Sequence, residues 1–443
     1  MTVCQRLAVA ALALGASACL GDTGTISVNL LTAPESALLD SVERIRLTLS
    51  EPRTVVEARR KNGAFSLSLE APAHGDPGRI TVECFDFADR LVGYGASPEF
   101  SLGPLEARIA VYVGEPLSVQ IAPAKLAVGR FEVGSASLRY GAILVGGRGN
   151  DNSARGEVEI YNAYDHTLAR GLDLPQARAG AAVATTIDGV AYVLGGATTE
   201  GTAQSGGWRF DTNVAPSGAW SDLTSTAAPR AGGRALQMSL TQFLLTGPPA
   251  TLDAGQAAVT PLAGALEMPR AATVVVSAAG TATAIGVDQR VVRYRGGVFD
   301  ELTAPQALRS GHVVLSTTDG QVAVLAGERD GELSRDAIKL DPQTGAVTVV
   351  ANALEIPRKL PAAARAGRFI VLAGGISETG LILGSAEILD AETLAHVATV
   401  PMAGPRAGAV AEPLPNEQVL IIGGIDGRGR ATDVLELFTP RPP

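Results

Sequence analysis

From Thr25 to about Val119 apolar and polar residues alternate in short runs. Thr25-Ile26-Ser27-Val28-Asn29-Leu30 and Arg44-Ile45-Arg46-Leu47-Thr48-Leu49 each have a period of two, and further runs lie at 64–69, 79–87 and 107–113. That period puts one face of each segment in a core and the other in water, so these are half-buried strands. Pro, Gly and Asp separate them, which predicts a small antiparallel β-sandwich over 25–117. Ser36 to Val42 reads as a short helical turn or part of a loop. Cys84 sits in the apolar run Ile80-Thr81-Val82-Glu83-Cys84-Phe85 and reads as a buried small hydrophobe.

After residue 118 the pattern changes to a repeat. An apolar strand ending in glycine recurs in seven copies, whose last glycines are Gly147, Gly196, Gly247, Gly286, Gly327, Gly375 and Gly424, 39 to 51 residues apart. Such a period suits a four-stranded sheet, and glycine suits an exit from a strand through positive φ or close to another backbone. Tight turns at Asp188-Gly189 and Asp319-Gly320 place a preceding strand in two copies. Third strands follow, as at Val158-Glu159-Ile160-Tyr161 and Ala386-Glu387-Ile388-Leu389. An arginine precedes the first strand of each copy: Arg130, Arg178, Arg230, Arg270, Arg309, Arg358 and Arg406. The last copy ends with its third strand at Phe438, whereas Leu117 to Ala127 is a strand with no sheet of its own. Pairing the two would close a ring and remove an open edge.

The apolar strand with a double glycine, together with junctions such as Pro229-Arg230-Ala231-Gly232 and Pro405-Arg406-Ala407-Gly408, resembles the Kelch repeat. That resemblance implies an all-β chain with a Kelch-like β-propeller over 118–443. Seven blades are expected. Six remain open, because the copies around Thr246 and Ile285 are short and lack the double glycine. The Kelch tryptophan of the fourth strand is matched at Trp220 alone. The segment Gly78 to Asp86, continuing into Leu91-Val92-Gly93-Tyr94-Gly95, is similar to the immunoglobulin-like or transthyretin-like modules of exported proteins, which implies a spacer.

Residues 1–18 combine Arg6, the apolar run Leu7 to Leu14 and the small residues Gly15-Ala16-Ser17-Ala18, the pattern of a secretory signal peptide. Ala16-Ser17-Ala18-Cys19 resembles a bacterial lipobox, which implies lipid attachment at Cys19, a tether over 19–24 and a membrane partner through the anchor. An ordinary cleavage site is the other reading. With Leu20 after the cysteine, the resemblance implies the outer membrane, on its periplasmic or cell-surface face.

The formal net charge of −9 is spread along the chain, as are Lys and Arg, so no basic stripe suggests nucleic acid. Copper oxidases resembling galactose oxidase need a cysteine bonded to tyrosine and two histidines. The repeats contain no cysteine, and His166, His312 and His396 fall in different copies. No cofactor, metal or catalytic residue is therefore expected. The seven arginines form the one repeated constellation. They are either a ring at a channel mouth that holds an anion or acidic peptide, or ties between neighbouring repeats. Polar loops after the glycine strands, at 148–156, 197–205, 328–335, 376–383 and 425–432, are the other surface for recognition. The expected function is a non-enzymatic envelope lipoprotein that binds a protein or glycan. A hydrolase or lyase acting on carbohydrate is the alternative.

Overall fold

A computed structural model describes residues 23–442 apart from 63–64, 73–76, 102–106, 226, 263–272, 277–280, 286–290 and 305–308. The chain is all-β. Cys19 and Arg270 lie outside the described residues.

The N-terminal sheets pair Ser68–Pro72, Thr23–Leu31 and Ala107–Tyr112 in one layer, and Thr54–Arg59, Arg44–Leu49, Ile80–Phe85 and Leu91–Ala96 in the other. Alternation decides what is buried: Ile45, Leu47 and Leu49 are fully enclosed against Ile80, Val82, Cys84 and Val111. Burial pushes the Cys84 thiol up to about 12, so it packs as a hydrophobe. One pairing departs from the antiparallel expectation, because Thr23–Leu31 runs parallel to Ala107–Tyr112. Two further segments are resolved more finely than their sequence allowed. A 3-10 turn spans Leu38–Ser41, anchored by buried Leu38, and the strand expected at 64–69 lies at Ser68–Pro72.

Seven sheets of four or five strands follow among the described residues, with a two-stranded hairpin of Glu328–Arg329 and Glu332–Leu333 beside the fifth. Their first strands are Gly134–Leu138, Ala182–Thr185, Ala235–Gln237, Thr273–Val276, Val313–Ser316, Ala362–Ala366 and Val410–Pro413. Each first strand packs against the first strand of the next sheet, and the seventh packs against the first. The ring is therefore closed, with these strands around the axis. The second strands form the core of each sheet, and Ala142 to Val145, Val322 to Leu325 and Val419 to Ile422 have almost no exposure. Such continuous apolar runs are what strands covered on both faces require. The third sheet carries an additional short strand, Thr224–Ser225.

The seventh sheet takes its outermost strand from the other end of the chain. Ser118–Lys125 pairs antiparallel with Val434–Thr439, Phe438 opposite Val119. The same segment leads straight out of the sandwich, so the sandwich and the ring share one covalent hinge and a packed seam. At that seam Arg79 pairs with Glu417 and donates to the Pro415 carbonyl at 3.1 Å. Tyr112 packs against His166 of the first sheet in a tilted arrangement, ring centroids 5.3 Å apart.

His166 is enclosed, with Nδ1 2.8 Å from the Tyr161 hydroxyl and Nε2 without a partner. Burial lowers its pKa from 6.5 to about 4, against a weak opposing pull from Asp165. Between those values the unfolded chain binds a proton that the folded chain refuses, so folding stability falls as pH drops from 6.5 towards 4. The loss expected from this one group is about 3 kcal/mol. Urea unfolding at pH 7 and pH 4.5 measures it. His166→Phe should flatten that part of the pH dependence, and an unchanged slope in the variant would exclude His166 as its source.

Candidate functional site

The described arginines occupy the same place in each of their repeats. Each arginine stands where one sheet hands the chain to the next. Its backbone stays with the preceding sheet: Gly147 donates its N–H to the Arg178 carbonyl, Gly327 to Arg358, Gly375 to Arg406 and Gly424 to Arg130, each at 2.8 or 2.9 Å. Its side chain enters the following sheet. Arg358 Nη1 donates to the carbonyls of Gly374 and Ser385, both at 2.9 Å, and Nη2 pairs with Glu387 at 2.7 Å. Arg130 repeats this with Gly146, Glu157 and Glu159. Arg406 repeats it with Gly423, Val434 and Glu436.

The glutamate closes the clamp. Glu387 accepts the N–H groups of Glu355 and Ile356 at 2.8 Å, Glu159 accepts that of Ala127 at 2.8 Å, and Glu436 accepts that of Ala403. These donors belong to the connecting segment just before each arginine, so one buried ion pair fixes the crossover between sheets. The double glycine belongs to the same device. Gly423 has φ +57°, and a Cβ there would lie 2.2 Å from the Arg130 carbonyl oxygen. The equivalent Cβ at Gly146 would meet the Arg178 carbonyl at the same distance.

Degenerate versions appear elsewhere in the ring. Arg178 lies over the Trp208 ring at 5.1 Å, where the first, sixth and seventh sheets place glutamate. Arg309 keeps the carbonyl contacts, to Ala326 and Asp336, and Ile338 stands in the acidic position. Arg230 is enclosed with neither terminal nitrogen partnered, and burial lowers its pKa to about 10. Arg130, Arg178, Arg230, Arg309, Arg358 and Arg406, which could form an anion-binding ring or tie neighbouring repeats, are all buried. Each has at most 5% exposure, and each except Arg230 donates from a terminal nitrogen to an acceptor within the protein, while the Nε atoms of Arg130, Arg178, Arg309 and Arg406 have no partner.

Three of the loops after the glycine strands, at 148–156, 197–205 and 425–432, are tied together into part of a rim. Arg148 spans two of them, pairing with Glu132 at 2.9 Å and donating to the Thr198 and Thr199 carbonyls at 3.3 Å. Ala431 donates to Asn150 Oδ1 at 2.7 Å, and Lys359 pairs with Glu328 at 2.6 Å. Inside the rim, Gly180 donates to the Glu132 carbonyl, Gly232 to Gly180 and Leu360 to Gly311. The outer loop residues, such as Glu200, Glu378 and Arg428, remain exposed.

The described channel holds one acid that the repeat does not predict. Glu412, on the seventh first strand, accepts from Ser135 Oγ at 2.5 Å and Ser137 Oγ at 3.0 Å. Ala136, Ala184, Leu315 and Ala364 occupy the equivalent register positions in four other sheets. Deep placement in the ring raises its pKa, offset by the two serines and by the field of Arg234. Among the described residues no acidic group contributes to that shift. Among the described residues no three His, Cys, Asp or Glu side chains come close enough to share a metal ion. Cys84 is enclosed in the sandwich, and His166, His312 and His396 lie on separate sheets.

No protein-family model matches this chain, and no curated protein matches it. The chemistry above therefore stands on geometry alone.

Glu387→Ala strands the Arg358 charge in the core, at an expected cost of about 3–5 kcal/mol in chemical unfolding. Arg358→Met with Glu387→Leu should recover most of that loss, since it removes both buried charges together. Arg309→Met, at a junction with no ion pair, should cost less than Glu387→Ala. A Glu387→Ala protein as stable as the parent would refute the role given to the clamp.

Proposed function

We propose that this chain is an exported bacterial lipoprotein, anchored through Cys19, whose seven sheets make a Kelch-like seven-bladed β-propeller. The propeller binds a protein or glycan and performs no chemistry of its own, and the immunoglobulin- or transthyretin-like sandwich holds it off the outer membrane. The observation that carries the binding reading is the rim. Loops of the seventh, first and second sheets are pinned to one another by Asn150 and Arg148, and Lys359 in the crossover holds Glu328 of the fifth sheet's loop, while the residues beyond those pins stay in solvent. A pinned rim loses little conformational freedom when it binds, which favours recognition.

The carbohydrate-hydrolase alternative needs two carboxyl groups facing across a bond, about 5 to 10 Å apart. Glu412 supplies one, and among the described residues no second acidic group acts on it. The binding reading is therefore preferred.

Two measurements test the proposal. Labelled palmitate fed to cells expressing the chain should enter the wild type and be lost in Cys19→Ser. A photo-cross-linking residue placed at Glu378 or Arg428 should capture a ligand in intact cells, whereas one at exposed Asp222 on an outer strand should not. Release of reducing ends from polysaccharide by the purified chain would reject the non-enzymatic reading.

A further inference from the structure

A second polar surface lies away from the loop rim, where the sandwich leans over the first strands of the fifth, sixth and seventh sheets. The cavity there has a volume of about 540 Å³. Its walls are small and apolar, including Leu315, Ala363, Ala411 and Pro413, and its charges come from Arg79, Arg365 and Glu417. Volumes of this order accept a compact small molecule, and a few convergent polar groups in an apolar wall orient it.

Arg365 breaks the repeat. Ser137, Thr185, Ser316 and Pro413 hold its register position in four other sheets, so a long cation at this place serves no role the ring shares. Its Nη1 donates to the carbonyls of Ser316 and Thr317 at 3.3 and 2.9 Å, which aims the guanidinium from the wall. The group is exposed, and among the described residues no carboxylate pairs with it. Arg79 differs, because Glu417 neutralises it and Glu417 is in turn 3.5 Å from the Tyr94 hydroxyl. Arg79 nevertheless keeps an enclosed Nε–H with no acceptor. The cavity thus carries one uncompensated positive charge beside largely apolar walls.

From this arrangement we infer that the cavity is a binding site for a monocarboxylate on a compact apolar body, with Arg365 as the carboxylate anchor. Guanidinium and carboxylate match in a planar, two-bond geometry, which makes the charge the main source of selectivity. A free organic acid and the C-terminal residue of a peptide both present this chemistry. The site is separate from the loop rim and does not depend on its ligand.

Titration calorimetry on the full chain carrying Cys19→Ser tests the inference with four probes. They are 3-phenylpropanoate, its neutral amide, acetyl-Gly-Phe with a free carboxylate, and the same peptide amidated. Saturable binding of a carboxylate over its amide is expected. Arg365→Gln should weaken it by about 30-fold, the size of a lost charge-assisted pair, without moving the unfolding midpoint. Binding of 3-phenylpropanoate alone assigns the site to free acids, and binding of acetyl-Gly-Phe as well assigns it to peptide ends. Equal binding of acid and amide, an unchanged affinity in Arg365→Gln, or no saturable heat with any probe overturns it.

Discussion

The ring depends on one arrangement, an arginine whose backbone belongs to one sheet and whose guanidinium belongs to the next. A sheet with an apolar face cannot be stable alone, so the repeat is viable only if neighbours are held in register. Hydrophobic packing between sheets is non-directional and does not fix that register. The arginine does, because its donors reach two backbone carbonyls of the next sheet at fixed spacing. In the first, sixth and seventh sheets a buried glutamate then ties the crossover to the same group. Desolvating two charges is costly, and the pair is acceptable here because the Arg130, Arg358 and Arg406 terminal nitrogens and their glutamates meet partners within the fold. The Nε atoms of Arg130 and Arg406 have none, so the compensation is incomplete.

The three ion pairs are not spread evenly. They occupy the sixth, seventh and first sheets, which are consecutive around the ring and flank the place where Ser118–Lys125 closes it. Closure there joins segments more than 300 residues apart, and bringing such a loop together costs on the order of 5 kcal/mol in chain entropy. The strand pairing of Ser118–Lys125 with Val434–Thr439 bears that cost directly. Its two neighbours are the sheets whose crossovers are clamped. The second to fifth sheets follow one another along the chain, pay no such penalty and tolerate Trp208, Ile338 and an unpartnered Arg230 at the corresponding positions.

Much of this architecture was legible because it is periodic. The glycine-ended strands gave the second strand of every sheet, and the deficit of one strand after Phe438 pointed to the surplus strand at Leu117 to Ala127. The arginines were visible too, and their two possible roles were named. What decided between those roles was not readable, since exposure is a property of packing and not of spacing. The glutamates left a faint signal: Glu159, Glu387 and Glu436 each follow their arginine by 29 or 30 residues. That signal lies in three copies of seven, and alternate residues of any strand can be acidic. The parallel pairing of Thr23–Leu31 with Ala107–Tyr112 left none, because alternation fixes a strand's faces and not its neighbour's direction.

Repetition also explains why function was harder to read than fold. A residue that recurs in each sheet answers a need that each sheet has, and the arginines are the clearest case. Chemistry specific to this chain has to lie where the repeat is broken without structural gain. Glu412 replaces an apolar residue and costs desolvation. Arg365 replaces a serine, threonine or proline and extends a cation into solvent beside a sheltered cavity. Neither stands out in a linear sequence with 36 Lys and Arg and 45 Asp and Glu. Both stand out once the strands are in register, because each is then compared with its equivalents in other sheets. The ring's regularity therefore serves as the background against which its own exceptions can be recognised, and those exceptions lie inside the axis and beneath the sandwich as well as on the exposed loops.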